Sequence, residues 1–110
     1  MIKLVSFSYR STPPKADIVV DCRKFLNPFS VPVLRPLNGT HAKVQEYMMS
    51  DPRFMAQLNW LINETTKVSH DSIACGCHGG HHRSVSMIEM MAKALRAVGR
   101  KVEVQHTELA

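Results

Sequence analysis

The run Ser72 to Val85, SIACGCHGGHHRSV, decides how the rest of the chain is read. Its first residues, Ser72 to Gly76, are small and apolar between polar flanks, the pattern of a buried strand's end. A helical pattern starts at Ser84, so Cys77 to Arg83 form the turn between strand and helix. In an open α/β sheet, ligands bind in such turns, beyond the carboxyl ends of the strands.

This turn has the parts of an anion site. Gly79 and Gly80 can adopt positive φ and carry no Cβ, so consecutive backbone N–H groups can converge on one point. The first turn of the following helix adds unpaired N–H donors and a partial positive charge. Arg83 offers a planar fork suited to phosphate or carboxylate, and His82 stands beside it. A bound phosphate, sulfate or phosphosugar is the direct expectation. The bland alternatives are an ordinary glycine turn, a buried bystander Cys77, and solvated His78, His81 and His82.

Cys77, Arg83 and Ser84 also spell C-x5-R-S, the pattern of cysteine-dependent phosphatases. A thiol beside a helix N-terminus, Arg and His is activated as a nucleophile. On that reading Cys77 attacks, Arg83 clamps the phosphoryl group and Asp21 or Asp71 is the general acid. A zinc site is a third reading, because Cys75, Cys77, His78, His81 and His82 are all possible ligands, with His41, His70 and His106 as distant help. One crowded run would have to supply nearly every ligand, so no metal is expected.

The whole chain bounds these choices. Its 110 residues suffice for one domain over residues 1–110 with a core of its own. Lys and Arg number 14 against 9 Asp and Glu, a net +5 that favours a polyanionic partner. Three cysteines, at 22, 75 and 77, make no disulfide framework and suit a reducing cytoplasm. MIKLVSFSYR is too soon polar for a signal peptide, and no apolar run is long enough to span a membrane.

Ile2 to Tyr9 reads as a strand with Val5, Phe7 and Tyr9 on one face and Ser6 and Ser8 on the other. Asp17 to Asp21, DIVVD, reads as a fully buried strand. Phe25 to Gly39 carries Pro28, Pro32 and Pro36, which excludes a regular helix or a central strand. Its Phe, Val and Leu content makes it a loop packed onto the domain, with Asn27 and Arg35 candidates to face a ligand. Thr40 is the expected N-cap of a helix to about Met49. Asp51-Pro52 starts another, to about Thr66, with Phe54, Leu58, Leu61 and Ile62 as its core stripe and Trp60 off it. Ser84 to Val98 is the clearest helix and is stopped by Gly99. Lys93, Arg96, Arg100 and Lys101 gather near its end, either complementing the helix dipole or forming an RNA-binding patch. Lys101 to His106 alternates as a final strand, which places His106, Thr107 and Glu108 on the edge that carries the Cys77 loop. The expected fold is α/β, with a small, mostly parallel sheet of about four strands under helices.

At this point the residues resemble a known family. ACGCHGGHHRSVSMIEMMAKAL is similar to the GCTGGxHRSV segment of the RapZ (RNase adapter) family's C-terminal domain. DCRKFLNPF, LRPLNG and VQHTEL are similar to that family's DxRxxxNP, LRPxTG and VxHRxL segments, in the same order. The resemblance spans essentially the whole chain. It implies a C-terminal domain without the N-terminal nucleotide-binding domain, since no P-loop pattern occurs. It further implies binding of small regulatory RNA, sensing of an amino-sugar phosphate, and a ribonuclease, a full-length relative or a second copy as partner.

Carried over by position, Asp21, Arg23, Asn27, Arg35 and Gly39 match the upstream motifs, and Cys77, Gly79, Gly80, His82, Arg83 and Ser84 the loop. His78 stands where the family has Thr, His81 where it has Gln or Lys, and Asn38 in the Thr position of LRPxTG. These departures leave room for a changed metabolite.

Overall fold

A computed structural model describes residues 1–109. Four parallel strands, β1 (Ile2–Ser8), β2 (Ile18–Asp21), β3 (Ser72–Cys77) and β4 (Val102–His106), lie in the order β2-β3-β1-β4. Three helices accompany them: α1 (Ala42–Met49), α2 (Pro52–Lys67) and α3 (Arg83–Ala97). The expected α/β class and parallel sheet are both observed. Among the described residues no helix is long and apolar enough to cross a membrane.

The helices cover one face of the sheet. Ile2 and Leu4 of β1, Val20 of β2 and Ile73, Cys75 and Cys77 of β3 meet Met48, Phe54, Leu58, Leu61, Met87, Ile88, Met91 and Leu95 in one apolar cluster. The other face holds only a small cluster of Val5, Phe7 and Ala74, with Tyr9 and Ala16 against it. The main core therefore lies on the side of the β1 serines rather than the side of Val5 and Phe7. Ser6 and Ser8 are buried, so each needs an internal partner. Ser6 Oγ lies 2.6 Å from His106 Nδ1, and Ser8 Oγ donates to the His78 carbonyl at 2.6 Å.

Several local expectations change. DIVVD is not a fully buried strand: β2 starts at Ile18, pairs only with β3 and leaves Val19 45% exposed. A short β-branched run looks the same at an edge as in the centre; what differs is the number of neighbours, which is a long-range property. His41, not Thr40, caps α1, its Nδ1 accepting from the Lys43 N–H at 3.1 Å, while Thr40 is held in an Asn38 turn. The proline-rich segment includes a 3-10 turn, Pro28–Ser30, with Pro at its start, where the missing N–H costs nothing. Buried Phe25, Pro28 and Leu34 confirm that it is packed down.

Asp51 caps α2 as expected and does more. One carboxylate oxygen accepts from the Arg53 N–H and the other from the Leu26 N–H, both at 2.9 Å, which ties the helix to the proline-rich segment. Burial pushes this carboxyl up, but the bonds from Leu26 and Arg53 outweigh it and hold it below the usual carboxylate range.

Candidate functional site

The Cys77 turn is shorter than its sequence suggests. β3 runs through Cys77 and α3 begins at Arg83, leaving five residues, His78 to His82, between them. Gly80 takes φ +72°, and a Cβ there would lie 2.5 Å from the Glu108 side chain. The segment after β4 thus closes over the turn, on the edge where the sequence put it. His82 occupies the N-cap of α3 without a side-chain cap bond, so no side chain competes with a ligand for the first-turn N–H groups.

Around this turn lies a cavity of about 470 Å³. The β3–α3 turn forms one wall with Cys77, His78, Gly79, His81, His82 and Arg83; the proline-rich segment forms the other with Asn27, Phe29, Arg35, Leu37 and Asn38. Arg10, just past β1, and Leu109 complete it. Among the described residues three arginines and three histidines line this space, and no aspartate or glutamate does. A larger and more open groove of about 700 Å³ lies between β2 and α2, beside Val19 and Trp60. It has none of the turn's converging donors, so the smaller cavity is the chemically organised one.

The two walls are joined by close backbone contact. Gly39 N–H donates to the His81 carbonyl at 2.7 Å. Gln45 Nε2 donates to the Gly39 carbonyl at 2.8 Å, adding a brace from α1. Arg83 spans the gap in a second way, with Nη1 donating to the Arg23 carbonyl at 2.8 Å and the Phe25 carbonyl at 3.4 Å. Only 8% exposed, its guanidinium makes no ion pair among the described residues. A cation this buried is expensive unless an anion answers it.

Cys77 and Ser84 lie under the turn, Sγ to Oγ 3.1 Å, with the thiol residue 2% exposed. Ser84 does not reach the cavity wall. Asp21 and Arg23 pair with each other at 2.7 Å, and Arg23 stacks on Tyr9 at 4.0 Å. The bonds from Arg23 hold the Asp21 carboxyl below its usual range. Neither residue lines the cavity, and Asp21 lines the larger groove instead. Asp71 precedes β3 and so lies at the opposite edge of the sheet, which removes it as an acid for Cys77. His106 is held between Ser6 and Glu89, His70 by Glu64, and His41 caps α1. Among the described residues no three metal-ligating side chains come together.

Lys93, Arg96, Arg100 and Lys101 are not brought to the cavity. α3 starts at the site and runs 15 residues away from it, roughly 20 Å at 1.5 Å per residue. Arg96 donates to the Val102 carbonyl and Arg100 to the Thr65 carbonyl. Lys93 and Lys101 are exposed.

Sequence reasoning missed Arg10, Phe29 and Leu109. Arg10 was findable, since it follows the strand that pairs with β3 and so emerges at the same carboxyl edge. Phe29 and Leu109 carried no such signal.

Burial holds the His82 imidazole below its ordinary pKa, opposed by the nearby carbonyls of Leu37, Arg35 and Leu34. None of these makes a regular hydrogen bond with Nε2, which is buried and unpartnered. The unfolded chain takes up this proton near pH 6.5, the folded chain only lower. Stability is therefore expected to fall as pH drops below about 6.5, with the loss complete at the folded pKa. Urea midpoints at about pH 7.5 and 5.5 should drop less for His82→Gln than for the unsubstituted chain. Equal drops would show that His82 is not the group responsible.

Comparison with known proteins gives concordant results. The chain matches the RapZ C-terminal domain over residues 1–110. It is 42% identical over 118 residues to a nucleotide-binding protein of Ruegeria sp. (strain TM1040), covering 98% of this chain and 39% of that protein. Nucleotide-binding proteins of Roseobacter denitrificans and Jannaschia sp. (strain CCS1) are 42% and 38% identical, each over 98% of this chain, which spans 40% and 37% of their lengths. The chain thus corresponds to about two-fifths of these relatives.

Proposed function

We infer the function from one premise: the chain belongs to the RapZ C-terminal domain family. On that footing it is a binding module whose cavity takes a phosphorylated small molecule of sugar-phosphate size. It acts as an RNA-binding adapter, presenting RNA to a ribonuclease or shielding RNA from it. The observation that carries the phosphate half is the cavity of about 470 Å³ walled by Arg10, Arg35 and Arg83 and by His78, His81 and His82, with no aspartate or glutamate among the described residues. Its size falls in the range of small-molecule sites, and guanidinium groups gathered around one space select a multiply charged anion.

The departures from the family's motif bear on which anion. His78 and His81 put imidazoles where a hydroxyl and an amide or amine are usual, and both line the cavity. They widen its donor set. No resident cofactor is proposed. The RNA half rests on the net charge of +5 and on family membership.

The test is a pair of titrations. Calorimetry with an amino-sugar phosphate should give saturable binding that the unphosphorylated amino sugar lacks. An electrophoretic shift with a short structured RNA at low salt should give a complex that weakens steeply as salt rises, because phosphate contacts release counterions. Heat from neither sugar would sink the phosphate half, and no shift at low salt the RNA half. The cysteine-phosphatase alternative has the 3.1 Å Cys77–Ser84 contact in its favour. Against it, among the described residues the cavity wall offers no carboxylic acid for the leaving group. Turnover of an aryl phosphate that Cys77→Ser abolishes would reinstate it.

A further inference from the structure

At the mouth of the cavity, Phe29 is 55% exposed although it belongs to a well-anchored turn. Asn27 Oδ1 accepts from its N–H at 3.1 Å, and Pro28 before it is buried. Arg35 Nε donates to the Phe29 carbonyl at 2.8 Å and lays its guanidinium over the ring, 4.7 Å from the centroid. The His82 ring meets the Phe29 ring edge-on at 6.5 Å and 63°. Three neighbours therefore fix an aromatic ring in water at the entrance to an anion cavity. Nothing in the fold requires that exposure.

We propose that Phe29 and Arg35 form a stacking platform for an unpaired nucleobase, so that this cavity also accepts, in place of the phosphosugar, one nucleotide of an RNA, held by its phosphate and its base together. The inference rests on the phosphate reading above and names the RNA chemistry at that same site. Splayed bases are commonly held by stacking on aromatic rings and on guanidinium planes, and they supply no charge of their own. The wall behind the platform suits a base edge. The side-chain oxygens of Asn27 and Asn38 are engaged with Phe29 N–H and with Thr40, which leaves both amide nitrogens as donors. A duplex could not present a base this way, so the platform selects a single-stranded end, bulge or loop.

The experiment compares inorganic phosphate, ribose 5-phosphate, a nucleoside 5′-monophosphate and a 5′-phosphorylated RNA trinucleotide, by calorimetry, on the unsubstituted chain, Phe29→Ala and Phe29→Tyr. The mononucleotide should bind about tenfold tighter than ribose 5-phosphate, the margin expected of one stacked base. Phe29→Ala should erase that margin, read as the ratio of mononucleotide to ribose 5-phosphate affinity within each variant, and Phe29→Tyr should keep it. The trinucleotide should bind at least as tightly as the mononucleotide. Ribose 5-phosphate and mononucleotide binding equally, or Phe29→Ala weakening both alike, would overturn the platform while the phosphate reading stands. A trinucleotide weaker than the mononucleotide would overturn RNA as the source of the base. No binding by any of the four would overturn the platform and the phosphate reading together.

Discussion

Gly39→Ala is expected to lower the thermal midpoint by about 10 °C and to abolish ligand binding in the cavity. A Cβ at position 39 would sit 2.3 Å from Ser86 N and 2.5 Å from the His82 carbonyl oxygen, both backbone atoms in the first turn of α3. Neither can move without unwinding the helix start, so the proline-rich wall must retreat and break the 2.7 Å bond from Gly39 N–H to the His81 carbonyl. Overpacking a rigid contact costs about 1–3 kcal/mol, and each kcal/mol moves the midpoint of a small domain by about 4–8 °C. A melt followed by circular dichroism reads this directly. A midpoint within about 2 °C of the unsubstituted chain would show that the two walls are not locked together at Gly39.

Arg83→Ala should weaken phosphate-ligand binding about 100-fold, with Arg83→Lys little better. Truncating one partner of a buried charge pair commonly costs 2–5 kcal/mol, and here the cation is buried and, among the described residues, bonded to backbone carbonyls alone. Lys keeps the charge but loses the planar fork that lets one edge hold the Arg23 carbonyl while another faces a ligand. The same substitutions remove the tie between α3 and the Cys22–Lys24 turn, so a drop in stability accompanies the loss. Binding within about twofold of the unsubstituted chain would assign Arg83 to the scaffold alone.

What could be read from the sequence was what depends on neighbours along the chain. The β3-turn-α3 unit was legible because an apolar run, two glycines and a helical stripe follow one another within Ser72 to Leu95. The Asp51-Pro52 helix start was legible for the same reason. What was lost depends on contacts across the fold. Val19 and Val20 look alike in sequence, whereas the edge position of β2 exposes the first. Ser6 and Ser8 gave no hint that they point into the main core, since their partners, His106 and the His78 carbonyl, are at least 70 residues away. Lys93, Arg96, Arg100 and Lys101 grouped by sequence near the end of the helix that opens at the site, and helix length then carried them to the other edge. Within the site, the glycine turn and Arg83 announced themselves, while Phe29 reached the cavity through packing of an irregular segment that no periodicity describes.

An NMR titration of the isotopically labelled chain with an amino-sugar phosphate tests most directly whether the turn between β3 and α3 is a phosphate site. Saturable shifts concentrated on the amides of His78 to Ser84 and on Gly39 across the cavity are the predicted result, with Arg83→Ala silent under the same conditions. Shifts confined to Lys93, Arg96, Arg100 and Lys101, or no shifts at all, would contradict it.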